Sequence, residues 1–303
     1  MTAEARVRET GEGVREKGTV EDFNEIHHVI TVMSCKGGVG KSLVSGLLAV
    51  ALRREGYQVG VLDADIAGPS IPKMFFTNGA GLSISTMGPL PPQSETGIRV
   101  MSMNLLPEQE YAATVWRGPL ISGAIRQFWG DILWGELDYL IVDLPPGTSD
   151  AALTVMQSLP ISGIVLVTSP QVLASMVVCK SAHMAQQMEI PILGLVENMS
   201  YYECPHTGEY HEIFGPSHAE ETAEWIGVPL LGRLPVDPKL AMLCDSGCLE
   251  YYAAEMFAPI VRDLVARTPE AKWQNLEPMQ PERNDWKEES VPEWFDSSLA
   301  KQH

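Results

Sequence analysis

The run Ser34-Cys35-Lys36-Gly37-Gly38-Val39-Gly40-Lys41-Ser42 constrains this chain more than any other stretch. Upstream, His28 to Met33 is rich in Val, Ile and Thr and reads as a buried strand. Downstream, Lys41 to Glu55 carries apolar residues at helical spacing and stops at Gly56. A glycine-rich loop between a strand and a helix turns successive backbone N–H groups inward, and the helix N-terminus adds partial positive charge, so the segment suits a triphosphate. Gly37, Gly38, Val39, Gly40, Lys41, Ser42 and Leu43 are therefore the expected nucleotide-binding residues. Lys41 would neutralise the β and γ phosphates and the Ser42 hydroxyl would bind Mg2+. The strict pattern G-x-x-x-x-G-K-[ST] fails, because Cys35 stands where its first glycine belongs. The variant K-G-G-x-G-K-[ST], counted from Lys36, matches in full.

Between its ends the chain alternates strand and helix, as a mostly parallel sheet with helices on both faces requires, so the expected fold class is α/β of the P-loop NTPase type. Gln58 to Leu62, Ile98 to Met103, Tyr139 to Val142, Gly163 to Thr168 and Ile192 to Val196 are the further expected strands. Acidic and glycine residues gather at their C-terminal ends, where open parallel sheets bind ligands.

Two acidic motifs follow from that placement. In Asp63-Ala64-Asp65-Ile66-Ala67-Gly68-Pro69-Ser70, Asp65 is read as the water-positioning residue and Asp63 as its neighbour on the magnesium side, roles that could be exchanged. In Asp143-Leu144-Pro145-Pro146-Gly147-Thr148-Ser149-Asp150, Asp143 would hold Mg2+ through water and the Gly147 N–H could meet the γ phosphate. Alone, either motif could be no more than an N-cap and a turn. Beside the phosphate loop, both read as functional.

Composition limits the alternatives. With 303 residues and 45% apolar residues, a single packed domain is expected at 26–268, with a flexible arm at 1–25 and an acidic, tryptophan-bearing tail at 269–303 that includes Trp273, Trp286 and Trp294. The formal net charge of -18 argues against an exposed grip on nucleic acid. No apolar run approaches the ~18 residues needed to span a bilayer, and the charged N-terminus has no apolar segment, so neither nucleic acid nor a membrane is an expected partner and a cytoplasmic location is expected. Cys35, Cys179, Cys204, Cys244 and Cys248 are an odd set of five, which favours free thiols or metal ligands over disulfides. Cys244 and Cys248 are expected one turn apart on a helix before Gly247, as packed thiols. His183, Met184, Met176 and Met188 are expected to be core-packing helix residues, and Arg117 to lie at a helix start.

Taken together, Lys36 to Ser42, Asp63 to Ser70, Trp116-Arg117-Gly118-Pro119-Leu120, Asp143 to Asp150, Thr168-Ser169-Pro170-Gln171 and Glu197-Asn198-Met199-Ser200 resemble the Mrp-type iron-sulfur carrier ATPases. These belong to the deviant P-loop class that also holds septum-site and partition ATPases and the nitrogenase iron protein. The resemblance runs from about His28 to Arg267. It implies an ATP-binding, slowly hydrolysing homodimer that carries a cluster to apo iron-sulfur proteins. In that family Lys36 would reach across the dimer to the partner's nucleotide as a catalytic residue beside Lys41 and Asp65. Asn198 would read the base, and Pro235 with Asp237 would close over it.

The resemblance also implies a four-iron cluster bridging the dimer, held on a Cys-Pro-x-Cys pair from each subunit. This chain departs there, reading Cys204-Pro205-His206-Thr207, so Thr207 stands in the second cysteine's place. Three readings stay open. Two Cys204 thiolates could be joined by imidazoles of His206 or His211, Cys244 and Cys248 could contribute, or the cargo site could be lost, leaving an ATPase switch.

Overall fold

The computed structural model describes residues 20–34, 36–66, 68–105, 118–253 and 255–269. Cys35, Trp116, Arg117, the arm before residue 20 and the three tail tryptophans lie outside them. The strands are β1 (Glu25–Ser34), β2 (Val59–Asp63), β3 (Ser83–Ile84), β4 (Pro89–Leu90), β5 (Arg99–Ser102), β6 (Glu136–Asp143), β7 (Gly163–Thr168), β8 (Ile192–Glu203), β9 (Tyr210–His211) and β10 (Leu230–Pro235). The helices are α1 (Lys41–Arg54), α2 (Ile71–Phe75), α3 (Gly118–Gly130), α4 (Asp150–Ser158), α5 (Val172–Gln187), α6 (Ala219–Ile226), α7 (Pro238–Asp245) and α8 (Phe257–Arg267).

The main sheet runs β10-β8-β7-β1-β6-β2-β5, and every neighbouring pair along it is parallel. Strand residues alternate between its two faces, as the pleat demands. Ile141 of β6 and Val165 and Val167 of β7 join a core with α1, α2, α7 and α8. Leu140, Val142, Ile164 and Leu166 join a second core with α3, α4, α5 and α6. The α/β sheet with helices on both faces is thus the fold that the alternating sequence predicts.

Parallel register brings the functional ends together. Asp63 ends β2 directly opposite Asp143 at the end of β6, while Val32 of β1 lies opposite Asp143 on its other side. The departures from expectation lie toward the far edge of the sheet. β8 continues past Val196 to Glu203 and turns back through β9, to which it pairs antiparallel, and β10 forms the edge. Cys244 and Cys248 do not share a helix. Gly247 adopts a left-handed φ of 72° between them, a conformation that ends α7 before Cys248.

Candidate functional site

The loop after β1 turns through Gly38 (φ 82°) and Gly40 (φ 78°), backbone values that a side chain would strain. Gly40 is the N-cap of α1, so no side chain caps that helix start, and such an end suits an anion. Lys41 folds back from the first turn, with Nζ 2.7 Å from Asp143 Oδ2, and the two groups are 6% and 0% exposed. Ser42 Oγ donates to the same oxygen at 2.6 Å. Ser45 Oγ donates to Asp143 Oδ1 at 2.6 Å. The sequence reading missed Ser45, although its i+4 spacing from Lys41 puts both on one face of α1.

Asp63 is also fully buried. Its Oδ2 accepts from the Ser70 and Ile71 N–H groups at 2.9 and 3.1 Å, and Oδ1 accepts from Asp65 N–H at 3.2 Å. Burial and the neighbouring Asp143 push its carboxyl from 3.8 up to about 7, against the pull of the Ile71 N–H, of Lys41 and of the Ser70 N–H. Asp63 therefore shapes the turn into α2, where its carboxylate is engaged by backbone. Asp65 Oδ1 accepts from Gly68 N–H at 3.3 Å.

Hydroxyl and carboxylate oxygens on Ser42 and Asp143 are the hard donors that Mg2+ prefers, so these residues fit that ion. Gly147 differs from expectation: its N–H donates to the Ser34 carbonyl at 2.8 Å and is spent on the end of β1. Lys36 Nζ donates to Gln171 Oε1, just before α5 of the same chain. Asn198, expected at a base, is 2% exposed and donates from Nδ2 to the Val39 carbonyl of the loop at 2.9 Å. Pro235 ends β10, and Asp237 caps α7 by accepting from Lys239 N–H at 2.8 Å while Tyr252 Oη donates to its other oxygen at 2.8 Å. Leu43 packs beside the α1-side core.

The thiols separate into two kinds. Cys204, Cys244 and Cys248 are free. Cys244 packs against the core, and burial with Asp245 pushes its thiol up to about 11, which makes it a poor nucleophile. Cys204 instead tips the β8–β9 hairpin, where its N–H donates to the Glu209 carbonyl at 2.9 Å and its carbonyl accepts from Gly208 N–H at 2.8 Å. The Thr207 hydroxyl, then backbone N–H groups of His206 and Thr207, hold its thiol below the ordinary range. Among the described residues no group of three or more His, Cys, Asp or Glu side chains is placed to hold a metal. No helix among them is long and apolar enough to cross a membrane.

Known proteins resemble this chain in sequence and in fold. Residues 25–267 match the family model for NUBPL iron-transfer P-loop NTPases, of ParA type. An iron-sulfur cluster carrier protein of Clostridium perfringens is 46% identical over 241 residues, covering 77% of this chain and 84% of that one. One from Methanocaldococcus jannaschii is 44% identical over 252 residues, covering 82% and 87%. Among solved structures, a nucleotide-binding protein from Archaeoglobus fulgidus in complex with ADP superposes with a TM-score of 0.68 at 43% identity, over 80% of this chain and 93% of that one. The Pyrococcus furiosus cell division ATPase MinD shares the fold with a TM-score of 0.56 at 19% identity, over 79% and 98%.

Proposed function

This chain belongs to the family of NUBPL iron-transfer P-loop NTPases, and from that membership we propose that it is an ATP-binding and slowly hydrolysing homodimer that carries iron-sulfur clusters to apoproteins. The observation that carries the reading is a single strand. β8 holds Asn198 against the phosphate loop and ends immediately before Cys204, so the energy-binding and cargo-binding ends share one piece of backbone.

In this reading the loop N–H groups and Lys41 hold the phosphates, with Asp143 releasing Lys41 to them. Ser42 and Asp143 would hold Mg2+, which when bound neutralises charge on the β and γ oxygens. Asp65 orients the attacking water, and hydrolysis proceeds mainly by positioning and electrostatic stabilisation. Lys36 exchanges Gln171 for the partner's nucleotide when the dimer closes. Pro235 and Asp237 border the base. The cargo is held between protomers by two Cys204 thiolates, with imidazoles of His206 or His211 completing the set, a weaker ligation that suits a cluster meant to leave. The relatives named as carriers support this role; the coupling requires that ATP prefer one dimer shape.

Transfer from the cluster-loaded protein to an apo-ferredoxin, followed by circular dichroism with and without Mg-ATP, tests the reading. ATP-dependent transfer supports it, and rates indifferent to nucleotide contradict it. A second reading, an ATPase switch without cargo, is favoured by Thr207 alone, whose hydroxyl faces Glu209 where the pattern would put a thiolate.

A further inference from the structure

The hairpin that carries Cys204 leaves the sheet and returns over one buried carboxylate. Glu197 is 1% exposed, and its Oε2 accepts from Ser200 Oγ at 2.5 Å and from Ser217 Oγ at 2.6 Å. Ser200 lies on the outgoing stem of the excursion in β8, and Ser217 on the returning stem just before α6. Arg233 of β10 reinforces both. Its Nε donates to Ser200 Oγ at 2.7 Å and lies 3.6 Å from Glu197 Oε2, and its Nη2 lies 3.9 Å from Glu212 on the returning stem. A carboxylate this deep needs such partners, so the clamp is a defined arrangement rather than a loose surface contact.

The residue next to Glu197 is the one that touches the loop. Asn198 Nδ2 sits 2.1 Å from where a Cβ on Gly40 would be, with Met199 Cε 3.6 Å from the same point. Met199 has a φ of 57°, a left-handed value that costs energy in a non-glycine residue. The register is irregular at the same place, since β8 advances from Glu197 to Tyr201 while β10 advances only from Arg233 to Pro235. A bulge of this kind re-aims side chains. Loop contact, strained joint and clamp therefore follow one another along three successive residues and their partners.

We propose that Glu197 is a positioning residue that fixes the Cys204 hairpin relative to the phosphate loop, so that nucleotide on the loop alters the setting of the Cys204 thiol through the Asn198–Ser200 bulge. This inference rests on the nucleotide-governed reading above. It adds the residues that connect the two ends. Shifting Val39 or Gly40 displaces Asn198, and the clamp converts that displacement into movement of both hairpin stems together.

Timed N-ethylmaleimide labelling of the cluster-free full chain, read by mass spectrometry on the Cys204 peptide, tests it with Mg-ATP, Mg-ADP and no nucleotide. The wild type is expected to show a nucleotide-dependent change in Cys204 rate of about fivefold, the low end of ordinary coupling. In Glu197→Gln and Ser217→Ala that ratio falls toward one while nucleotide affinity stays within about twofold of wild type. Ser217→Ala leaves the buried acid in place and carries the test if Glu197→Gln does not fold. A full nucleotide response in a folded variant, or no response in a wild type that binds nucleotide, overturns the proposal. A response without cluster transfer would leave the clamp standing and remove the carrier reading instead.

Discussion

The Lys41 ammonium lies 2.7 Å from the Asp143 carboxylate at the mouth of the phosphate loop, and both groups are buried. The pair keeps the loop organised, and on the proposed reading a phosphate would compete with Asp143 for the same ammonium. Removing the lysine would strand a carboxylate beside a second one, Asp63.

Lys41→Ala is therefore expected to lose nucleotide binding by at least about 100-fold, roughly 2.7 kcal/mol, and to lose stability by about 3 kcal/mol as an uncompensated buried charge appears. Isothermal calorimetry with ATP and urea unfolding check the two effects separately. Wild-type ATP affinity in this variant would remove the phosphate-loop assignment.

Asp63 gives the fold a pH dependence with a definite sign. Its carboxyl is raised from 3.8 to about 7 in the folded state, so between those values the folded protein holds a proton that the unfolded chain releases. Stability from this group is present below pH 4 and is lost as pH rises through 7, by up to about 4 kcal/mol. Asp63→Asn, which keeps an acceptor for Ser70 and Ile71 N–H, should flatten the slope of stability against pH across that window in urea titrations without nucleotide. An unchanged slope contradicts the assignment.

Gly40 and Gly37 should respond differently to the same added methyl. A Cβ on Gly40 meets Asn198 at 2.1 Å at a φ of +78°, whereas one on Gly37 meets nothing within 4 Å. Gly40→Ala is expected to cost about 1–3 kcal/mol from strain and to dislodge Asn198 from the Val39 carbonyl. Gly37→Ala should leave the melting temperature unchanged. Equal melting temperatures for the two variants would refute the tight approach at Gly40.

The Thr207 hydroxyl beside Cys204 holds its thiol below the ordinary value of 9.0. The thiolate therefore persists to lower pH, and alkylation of Cys204 should rise with pH through an inflection beneath that value. Thr207→Ala should move the inflection upward and slow labelling at neutral pH, an outcome read directly from the rate profile. A profile unaffected by the substitution would show that the hydroxyl has no hold on the thiol.

The strand, loop and helix around Lys41 are legible in the sequence because three strong local signals coincide there: the apolar run before Ser34, the glycines, and the helical spacing after Lys41. The register that sets Asp63 beside Asp143 is also implied, since both close apolar strands. Less of β8 is legible. Its polar Asn198-Met199-Ser200 segment breaks the apolar run after Val196 and looks like a loop, whereas β10 supplies an irregular partner that keeps it in the sheet through a bulge. Leu230–Pro235 is itself obscured by Gly232 and a terminal proline, poor strand formers by local preference. Ser217 and Arg233 carry no local signal, because their roles arise only where Glu197 is buried between them.

Cluster carriage centred on Cys204 is tested most directly by anaerobic reconstitution with iron and sulfide, followed by visible absorption and metal analysis of the wild type and Cys204→Ala. The account predicts a visible chromophore in the wild type that accompanies dimer and is lost in Cys204→Ala. Absence of a chromophore in the wild type, or its survival in Cys204→Ala, would contradict it.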